Sequence, residues 1–215
     1  MHRPAAGKSV FMGAEIPFQL GITGGIGSGK SVFSSIFEVM GVPVYESDTK
    51  ARKLYLRNDI REQVTGLMGK EAYLEDGKPD TAFIAEKMFG NPGLREALNA
   101  IIHPALSIHY RQWLEKQNHP YVLKVAALLF EADIARQLDF TAVVISPESL
   151  RRNRISTRDP HRSASQIEAI LRSQWSDEEK IKRADLIVYN DEKHSLIEQA
   201  IQLQEMVLKQ LDGTQ

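Results

Sequence analysis

Cysteine is absent from this chain of 215 residues, and so are long apolar runs and any marked excess of charge. Without cysteine, the chain has no disulfides, no thiolate metal ligands and no cysteine nucleophile. No apolar run approaches the roughly 20 residues that span a bilayer, so we expect no membrane segment. A formal net charge of −1 gives no general attraction to nucleic acid or anionic lipid. These absences favour a cytoplasmic protein without nucleic-acid or membrane partners.

Two sequence patterns of other protein classes are missing as well. The six histidines are dispersed and lack the spacing of metal ligands, so we expect no histidine metal site. The Asn-Lys-x-Asp and Asp-x-x-Gly patterns of GTPases occur nowhere in the chain, which disfavours a GTPase.

The most specific motif that is present is a phosphate-binding loop. Gly24, four further residues and then Gly29-Lys30-Ser31 satisfy the P-loop pattern. Glycines let backbone N–H groups converge on phosphate oxygens, and the following helix adds the positive end of its dipole. Lys30 reaches the outer phosphates, and the Ser31 hydroxyl can ligate Mg²⁺. We therefore predict binding of ATP and Mg²⁺. The predicted binding residues are Gly25, Ile26, Gly27, Ser28, Gly29, Lys30, Ser31 and Val32.

Apolar segments alternate with helical patterns along much of the chain, which predicts an α/β protein with the P-loop NTPase fold. The predicted strands are Phe18–Thr23, Val42–Tyr45, Tyr121–Phe130, Thr141–Ser146 and Asp185–Tyr189. Because strands that alternate with helices form right-handed parallel units, we expect a five-stranded parallel sheet flanked by helices.

Three segments depart from this alternation. Residues 1–17 are predicted to be a flexible extension of a P-loop kinase domain over residues 18–215. Residues 58–118 read as helices, two of them separated by Pro104, and are too long for an ordinary crossover. We predict that they form a helical substrate-binding insertion. The Arg-rich residues 148–174 are predicted to form two helices joined at Asp159-Pro160 and to act as a mobile lid.

A small-molecule kinase needs a group to deprotonate the acceptor hydroxyl and cations over the transferred phosphoryl group. Asp48 follows the second strand, at the edge where open α/β sheets bind ligands, and is a candidate base. As an alternative, it caps the helix that follows. Of the six arginines in the lid, we expect two or three to bind phosphate and the others to lie on the surface. Arg154 and Arg158 are preferred because four-residue spacing places them on one helix face.

From about Phe18 to Leu208, the chain resembles the dephospho-coenzyme A kinase family in the order of its motifs. Leu20–Ser31 is similar to the family's opening segment, and Gly41–Asp48 to its second strand with the catalytic aspartate last. The remaining similar motifs are Ile102-His103-Pro104, Leu128-Leu129-Phe130-Glu131, Arg154 with Arg158-Asp159, and the spaced residues Gln174, Lys180, Ala184-Asp185 and Asn190.

The chain also departs from the family at several positions. Glu46 stands where Asp is common, Val32 where Thr is common, and Val125 and Ala127 where Asp and Pro are common. Val125 leaves no acid at a Walker-B-like position. Outer-shell contacts to Mg²⁺ are therefore expected from elsewhere, with Asp48 and Glu131 as candidates.

The resemblance implies transfer of the ATP γ-phosphoryl group to the ribose 3′-hydroxyl of dephospho-coenzyme A, the last step of coenzyme A synthesis. It implies catalytic roles for Asp48, Lys30, Arg154 and Arg158. It also implies that dephospho-coenzyme A contacts Asp48, His103, Leu129 and Glu131, although a structural cap is an alternative role for His103. We expect a monomer or a weak homo-oligomer.

Two other functions stay open at this point. A P-loop says nothing about the acceptor, so a kinase for another nucleotide-like small molecule fits the same motif. A nucleotide-binding regulatory protein that hydrolyses ATP slowly is the second alternative, and the missing acid at Val125 is the best argument for it.

Overall fold

The structure, a computed structural model, describes residues 10–11 and 14–213. The chain divides into two compact units. The first unit combines the segment that ends at Glu46 with the segment that begins at Gln117, and the second is the continuous segment Ser47–Lys116. The second unit therefore begins directly after a strand, earlier than the predicted insertion over residues 58–118.

The first unit is built on a parallel sheet of five strands, as predicted from the sequence. The described strands are β1 (Val10–Phe11), β2 (Ala14–Glu15), β3 (Phe18–Thr23), β4 (Val44–Glu46), β5 (Tyr121–Val125), β6 (Phe140–Ile145) and β7 (Leu186–Tyr189). In the sheet the order is β4-β5-β3-β6-β7, and every neighbouring pair is parallel. The central strand β3 is apolar and buried along most of its length because helices cover both faces of such a sheet.

Capping residues mark where several helices begin. The described α-helices are α1 (Lys30–Val39), α2 (Ser47–Leu54), α3 (Asn58–Met68), α4 (Thr81–Met88), α5 (Pro92–Leu114), α6 (Glu148–Arg158), α7 (Ala164–Arg172), α8 (Asp177–Ile181) and α9 (Leu196–Asp212). Short 3₁₀ helices lie at Lys70–Ala72 and Ile134–Gln137. Asp80 and Asn91 accept hydrogen bonds from first-turn amides of α4 and α5, and Ser163 forms a capping box with Gln166 at α7.

The main hydrophobic core of the first unit lies between the sheet and the helices α1 and α9. Phe33 and Phe37 of α1 are fully buried there, with their rings in edge-to-face contact at 5.4 Å between centroids. Leu20 and Ile22 of β3 pack in the same cluster. This packing fixes the position at which α1 begins relative to the end of β3.

One predicted strand is shorter in the structure. The apolar run predicts a strand over Tyr121–Phe130, but β5 ends at Val125. Its two neighbours explain the end, because Val125 pairs with Ile22 on one side and with Glu46, the last residue of β4, on the other. β4 ends at this pair and β3 ends one residue later, at Thr23, and the following apolar residues turn into a separate cluster instead. That cluster comprises Ala126, Leu129, Phe130, Ala135 and Leu138.

The second unit has its own apolar core, formed by residues of α2, α3, α4 and α5. Here the prediction that Pro104 separates two helices is wrong, because α5 continues through it. Proline removes one backbone donor and normally disturbs a helix. In α5 the residues on either side, including Leu98, Ile102 and Ala105, are buried in the unit's core, and this packing keeps the helix continuous.

The N-terminal segment is described only in part. Val10–Phe11 and Ala14–Glu15 pair as a short antiparallel hairpin. The rest of the predicted flexible extension up to residue 13 lies outside the described residues.

Candidate active site

The phosphate-binding loop joins β3 to α1 at the carboxyl edge of the sheet. Gly27 and Gly29 adopt φ angles of 77° and 95°, which only glycine adopts at little cost. Among the described side chains, none caps the N-terminus of α1 with a hydrogen bond. The first amides of the helix and the positive end of its dipole therefore face the loop, which suits an anion.

Lys30 and Ser31 are the first two residues of α1. The Nζ atom of Lys30 donates to the carbonyl oxygens of Gly24 at 2.8 Å and Gly25 at 3.3 Å. The lysine thus folds back over the loop that precedes it. Ser31 and Val32 are exposed on the first turn.

Arg154 lies beside the same loop. Its Nη1 donates to Oγ of Ser146 at 3.0 Å and approaches the Gly27 carbonyl oxygen at 3.5 Å. The Asn190 side chain connects the arginine to the loop, because its Oδ1 lies 3.4 Å from Nη2 of Arg154 and its Nδ2 donates to the Ser28 carbonyl at 2.8 Å. One guanidinium of α6 is therefore held at the phosphate-binding loop.

Arg158, the other preferred arginine, is one helical turn further along α6 and is exposed. Its Nη2 lies 2.9 Å from a carboxylate oxygen of Asp159, which also accepts from Arg162 at 3.0 Å. The two guanidinium groups, with Arg158 contributing most, lower the pKa of Asp159 to about 2. Arg158 is therefore paired at the end of its helix and not at the loop.

Arg151 contradicts the expectation that the remaining arginines lie on the surface. It is 8% exposed, and its Nε donates to the Ile26 carbonyl at 3.0 Å. The sequence carried a signal for this, because Arg151 shares a helix face with Ile155, which is also buried. Helix periodicity around Ile155 would have placed Arg151 on the inward face.

Glu46 is the carboxylate at the end of β4, next to the site of the missing Walker-B-like acid. Glu46 and Val125 are direct partners on neighbouring strands. Val125 is buried in the apolar core, whereas Oε1 of Glu46 accepts from Oγ of Ser34 in α1 at 2.9 Å. The same Ser34 hydroxyl lies 3.2 Å from the Ser31 carbonyl oxygen. A carboxylate thus lies against the first turns of α1.

Glu131 and Leu129, predicted to contact the acceptor, have internal partners. Oε1 of Glu131 accepts from the Trp175 N–H at 3.1 Å and lies 3.2 Å from Nζ of Lys180, which is fully buried. Oε2 of Glu131 is buried without a hydrogen-bond partner among the described residues. The Leu129 side chain is fully buried in the apolar cluster beyond β5, so only its backbone is available for a ligand.

Asp48 and His103 belong to the second unit. The helix α2 begins at Ser47, so Asp48 lies inside its first turn and is exposed there, not at a cap position before Thr49. His103 is an exposed residue in the middle of α5, not at a junction between helices. Partial desolvation lowers the pKa of its imidazole and favours the neutral ring.

Lys124 of β5 is a buried charge that is not among the site residues predicted from the sequence. It is 6% exposed and pairs along the sheet with Gly21 and Tyr45. Desolvation lowers the pKa of its ammonium to about 8. A single lysine in an otherwise apolar strand gives no periodic signal, which is why the sequence pattern alone did not mark it.

The amino-acid sequence matches a known protein family over most of the chain. The sequence profile described as dephospho-CoA kinase matches residues 18–195, and thus covers the loop, the second unit and the Arg-rich helices. The chain belongs to the dephospho-CoA kinase family. This confirms the resemblance that the motifs indicated.

Individual members of the dephospho-CoA kinase family show the same similarity. A dephospho-CoA kinase of Bacteroides fragilis is 39% identical over 187 residues, which cover 86% of this chain and 90% of that one. A dephospho-CoA kinase of Salinibacter ruber is 36% identical over 176 residues, which cover 80% of this chain and 88% of that one. The solved structure of a dephospho-CoA kinase from Campylobacter jejuni is similar with a TM-score of 0.63 at 26% identity. The match covers 89% of this chain and 97% of that one.

Family membership also confirms the P-loop kinase fold and implies the use of ATP. No helix of the described residues is both long and apolar enough to cross a bilayer. Nor do the described residues contain a cluster of three or more His, Asp or Glu side chains able to hold a metal ion.

Proposed function

We propose that this protein transfers the γ-phosphoryl group of ATP to the ribose 3′-hydroxyl of dephospho-coenzyme A and so carries out the last step of coenzyme A synthesis. The observation that carries the proposal is that the match to the dephospho-CoA kinase family spans residues 18–195. A phosphate-binding loop alone would leave the acceptor open. The match extends through the second unit, Ser47–Lys116, where we expect the acceptor to bind.

The loop residues Gly25–Val32 would bind the phosphates of ATP. Three features support this assignment. Gly27 and Gly29 have positive φ angles, no described side chain caps the N-terminus of α1, and Lys30 lies in the first turn of that helix. On binding, we expect the Lys30 ammonium to exchange the loop carbonyls for the β- and γ-phosphate oxygens, because an anion competes strongly for a cation in a partly buried site.

The donor atoms at the start of α1 fit the Mg²⁺ that accompanies ATP. Ser31 supplies an exposed hydroxyl. Glu46, which is paired with the apolar Val125 on the neighbouring strand, supplies a carboxylate. Hydroxyl and carboxylate oxygens are the ligands that Mg²⁺ prefers, directly or through water. When bound, Mg²⁺ neutralises charge that develops on the phosphates. We propose that Ser31 holds it directly and that Glu46, in place of an acid at Val125, orients its waters.

Asp48 is our proposed base for the acceptor hydroxyl. Its carboxylate is exposed, and only Ser47 separates it from the strand end at Glu46. Arg154 is the arginine best placed to stabilise charge on the transferred phosphoryl group, because it already lies at the loop. Arg158 would first have to leave Asp159, and we propose that movement of the part of the lid that carries Arg158, away from the ends held by Arg151 and Gln174, accompanies that exchange.

Contacts to the acceptor complete the proposal. His103 offers an exposed imidazole for a hydrogen bond, and desolvation lowers its pKa, which favours the neutral ring. Leu129 offers only backbone atoms, and Glu131 is engaged with Lys180. We propose that the acceptor makes side-chain contacts chiefly through the second unit. A cytoplasmic location and a monomer or weak homo-oligomer stay predictions from the sequence.

The test is a coupled ADP-release assay with and without dephospho-coenzyme A, followed by mass spectrometry of the product. We expect ADP release to require the acceptor and an acceptor analogue without the 3′-hydroxyl to be inactive. Lys30→Ala is the negative control for this assay, because it should lose ATP binding. Acceptor-independent ADP release would indicate an ATPase, and a higher kcat/KM for another nucleotide-like acceptor would indicate a different kinase.

A further inference from the structure

Ile26, in the middle of the phosphate-binding loop, is held at both of its backbone polar groups by side chains from distant segments. Its N–H donates to Oε1 of Gln174 at 2.8 Å, and its carbonyl oxygen accepts from Nε of Arg151 at 3.0 Å. Only the oxygen of the Gln174 amide can accept from an N–H, so the orientation of that amide is determined. A loop rich in glycine has many accessible conformations, and these two contacts restrict them.

Arg151 is itself fixed by a carboxylate. Its Nη1 lies 3.2 Å and 3.1 Å from the two carboxylate oxygens of Asp177, and its side chain is only 9% exposed. The guanidinium also packs against Gly25, where a Cβ would overlap it. The charge of Arg151 is therefore paired within the protein and directed at the loop backbone, in contrast to that of Arg154.

The segment Gln174–Asp177, which supplies two of these contacts, is anchored to the interior of the first unit. The N–H of Trp175, next to Gln174, donates to Oε1 of Glu131 at 3.1 Å. The same oxygen lies 3.2 Å from the ammonium of the fully buried Lys180 in α8. An ion pair in the interior allows little displacement, because separating the charges there is costly. The segment is thus held at a fixed distance from the loop.

We propose that Gln174, Arg151 and Asp177 form a brace that holds the loop amides in the arrangement that binds ATP phosphates, and that Glu131 and Lys180 anchor this brace. All five are positioning residues, since they act through Ile26 and not on the reacting atoms. The inference rests on the proposed function where it concerns phosphoryl transfer. Its effect on nucleotide affinity depends only on the loop.

Two substitutions test the brace with little change of side-chain volume. Gln174→Met removes the acceptor for the Ile26 N–H, and Arg151→Lys keeps the charge but removes the Nε donor. Because each leaves a backbone group of the loop without its partner, we expect the Kd for ATP and for ADP to rise about tenfold in each variant. The KM for dephospho-coenzyme A should stay within about twofold of wild type, which a general loss of structure would not allow.

Matched controls carry the same substitutions outside the brace. Gln202 is exposed on α9, and Arg152 is next to Arg151 but binds Glu148 and Glu168 on the surface. Gln202→Met and Arg152→Lys should bind nucleotide as the wild type does. Affinity is measured by titration calorimetry with ADP and with a non-hydrolysable ATP analogue, and folding is checked by circular dichroism and Tm.

Wild-type nucleotide affinity in folded Gln174→Met and Arg151→Lys would overturn the proposal, and so would a lower Tm without a change in Kd. If either variant fails to fold, Asp177→Asn perturbs the same brace without removing a contact to the loop, and its Kd should rise about threefold. If the wild-type protein binds ATP but does not phosphorylate dephospho-coenzyme A, the proposed function is refuted and the brace is not. The binding measurements would still decide whether the brace exists.

Discussion

The buried ion pair between Glu131 and Lys180 offers the sharpest test of how this protein is held together. Lys180 is fully buried, and its side chain lies 3.2 Å from that of Glu131, which is 13% exposed. Lys180→Met keeps most of the volume of the side chain but leaves the carboxylate in the interior without a countercharge. Removing one partner of such a pair costs about 3–5 kcal/mol, because the remaining charge is desolvated and unpaired.

This loss of stability is large enough to measure by two methods. For a chain of this size, 1 kcal/mol corresponds to a Tm shift of about 2–4 °C, so Lys180→Met should lower the Tm by about 10 °C. The free energy of unfolding from urea titrations should fall in parallel. Lys182→Met is the matched control, since Lys182 pairs with Glu179 at the surface and is 69% exposed. Its cost should stay below about 1 kcal/mol.

The double variant decides whether the charge pairing itself is responsible. Glu131→Gln combined with Lys180→Met removes both charges and retains an acceptor for the Trp175 N–H. We expect the double variant to be more stable than the sum of the single effects predicts, with a coupling of about 2 kcal/mol. Additive costs, or a Lys180→Met protein as stable as the wild type, would refute the reasoning. A selective rise in the KM for dephospho-coenzyme A on Glu131→Gln would instead identify Glu131 as an acceptor contact.

Three further predictions concern the other charged groups of the protein. Asp48→Asn should lower kcat on the order of 100-fold in a coupled ADP-release assay, while the Kd for ATP stays near wild type, because only the proton acceptor is removed. Near-normal turnover would refute the role of Asp48 as base. Glu46→Gln should raise the Mg²⁺ concentration required for half-maximal binding of a fluorescent ATP analogue by about tenfold, and an unchanged requirement would exclude Glu46 from the Mg²⁺ shell. Lys124 has its pKa lowered from 10.5 to about 8, so between these pH values the unfolded chain binds more protons and the free energy of unfolding rises with pH. Lys124→Met should remove that rise, about 3 kcal/mol, in urea titrations at pH 7.5 and pH 10.5, and equal pH dependence of the two proteins would contradict it.

Local signals in the sequence were sufficient to predict the sheet and the phosphate-binding loop. Strand β3 and the loop after it are contiguous, so their apolar run, their glycines and Lys30 can be read without knowledge of any distant contact. The order of strands and helices likewise follows from hydrophobic periodicity. The α/β fold and the parallel sheet of five strands were therefore predicted correctly, and the family was predicted correctly from the resemblance of the motifs.

The ends of elements required tertiary information. Strand β5 stops at Val125, where β4 also ends and β3 has one residue left, although Leu129 and Phe130 are as apolar as a strand requires. Helix α5 continues through Pro104 because residues around it are buried in the core of the second unit. In both cases packing overrides the local preference of the backbone.

The order of residues along the chain is enough to identify the chemical groups of the site: a phosphate-binding loop, a carboxylate after the second strand and a cluster of arginines. Which of those arginines lie against the loop depends on contacts between distant segments. Arg151 and Arg154 lie against it, whereas Arg158 pairs with Asp159. The hydrogen bond between Ile26 and Gln174 joins residues 148 positions apart. Such a contact depends on how separate helices pack on one sheet, and no pattern within either segment encodes it.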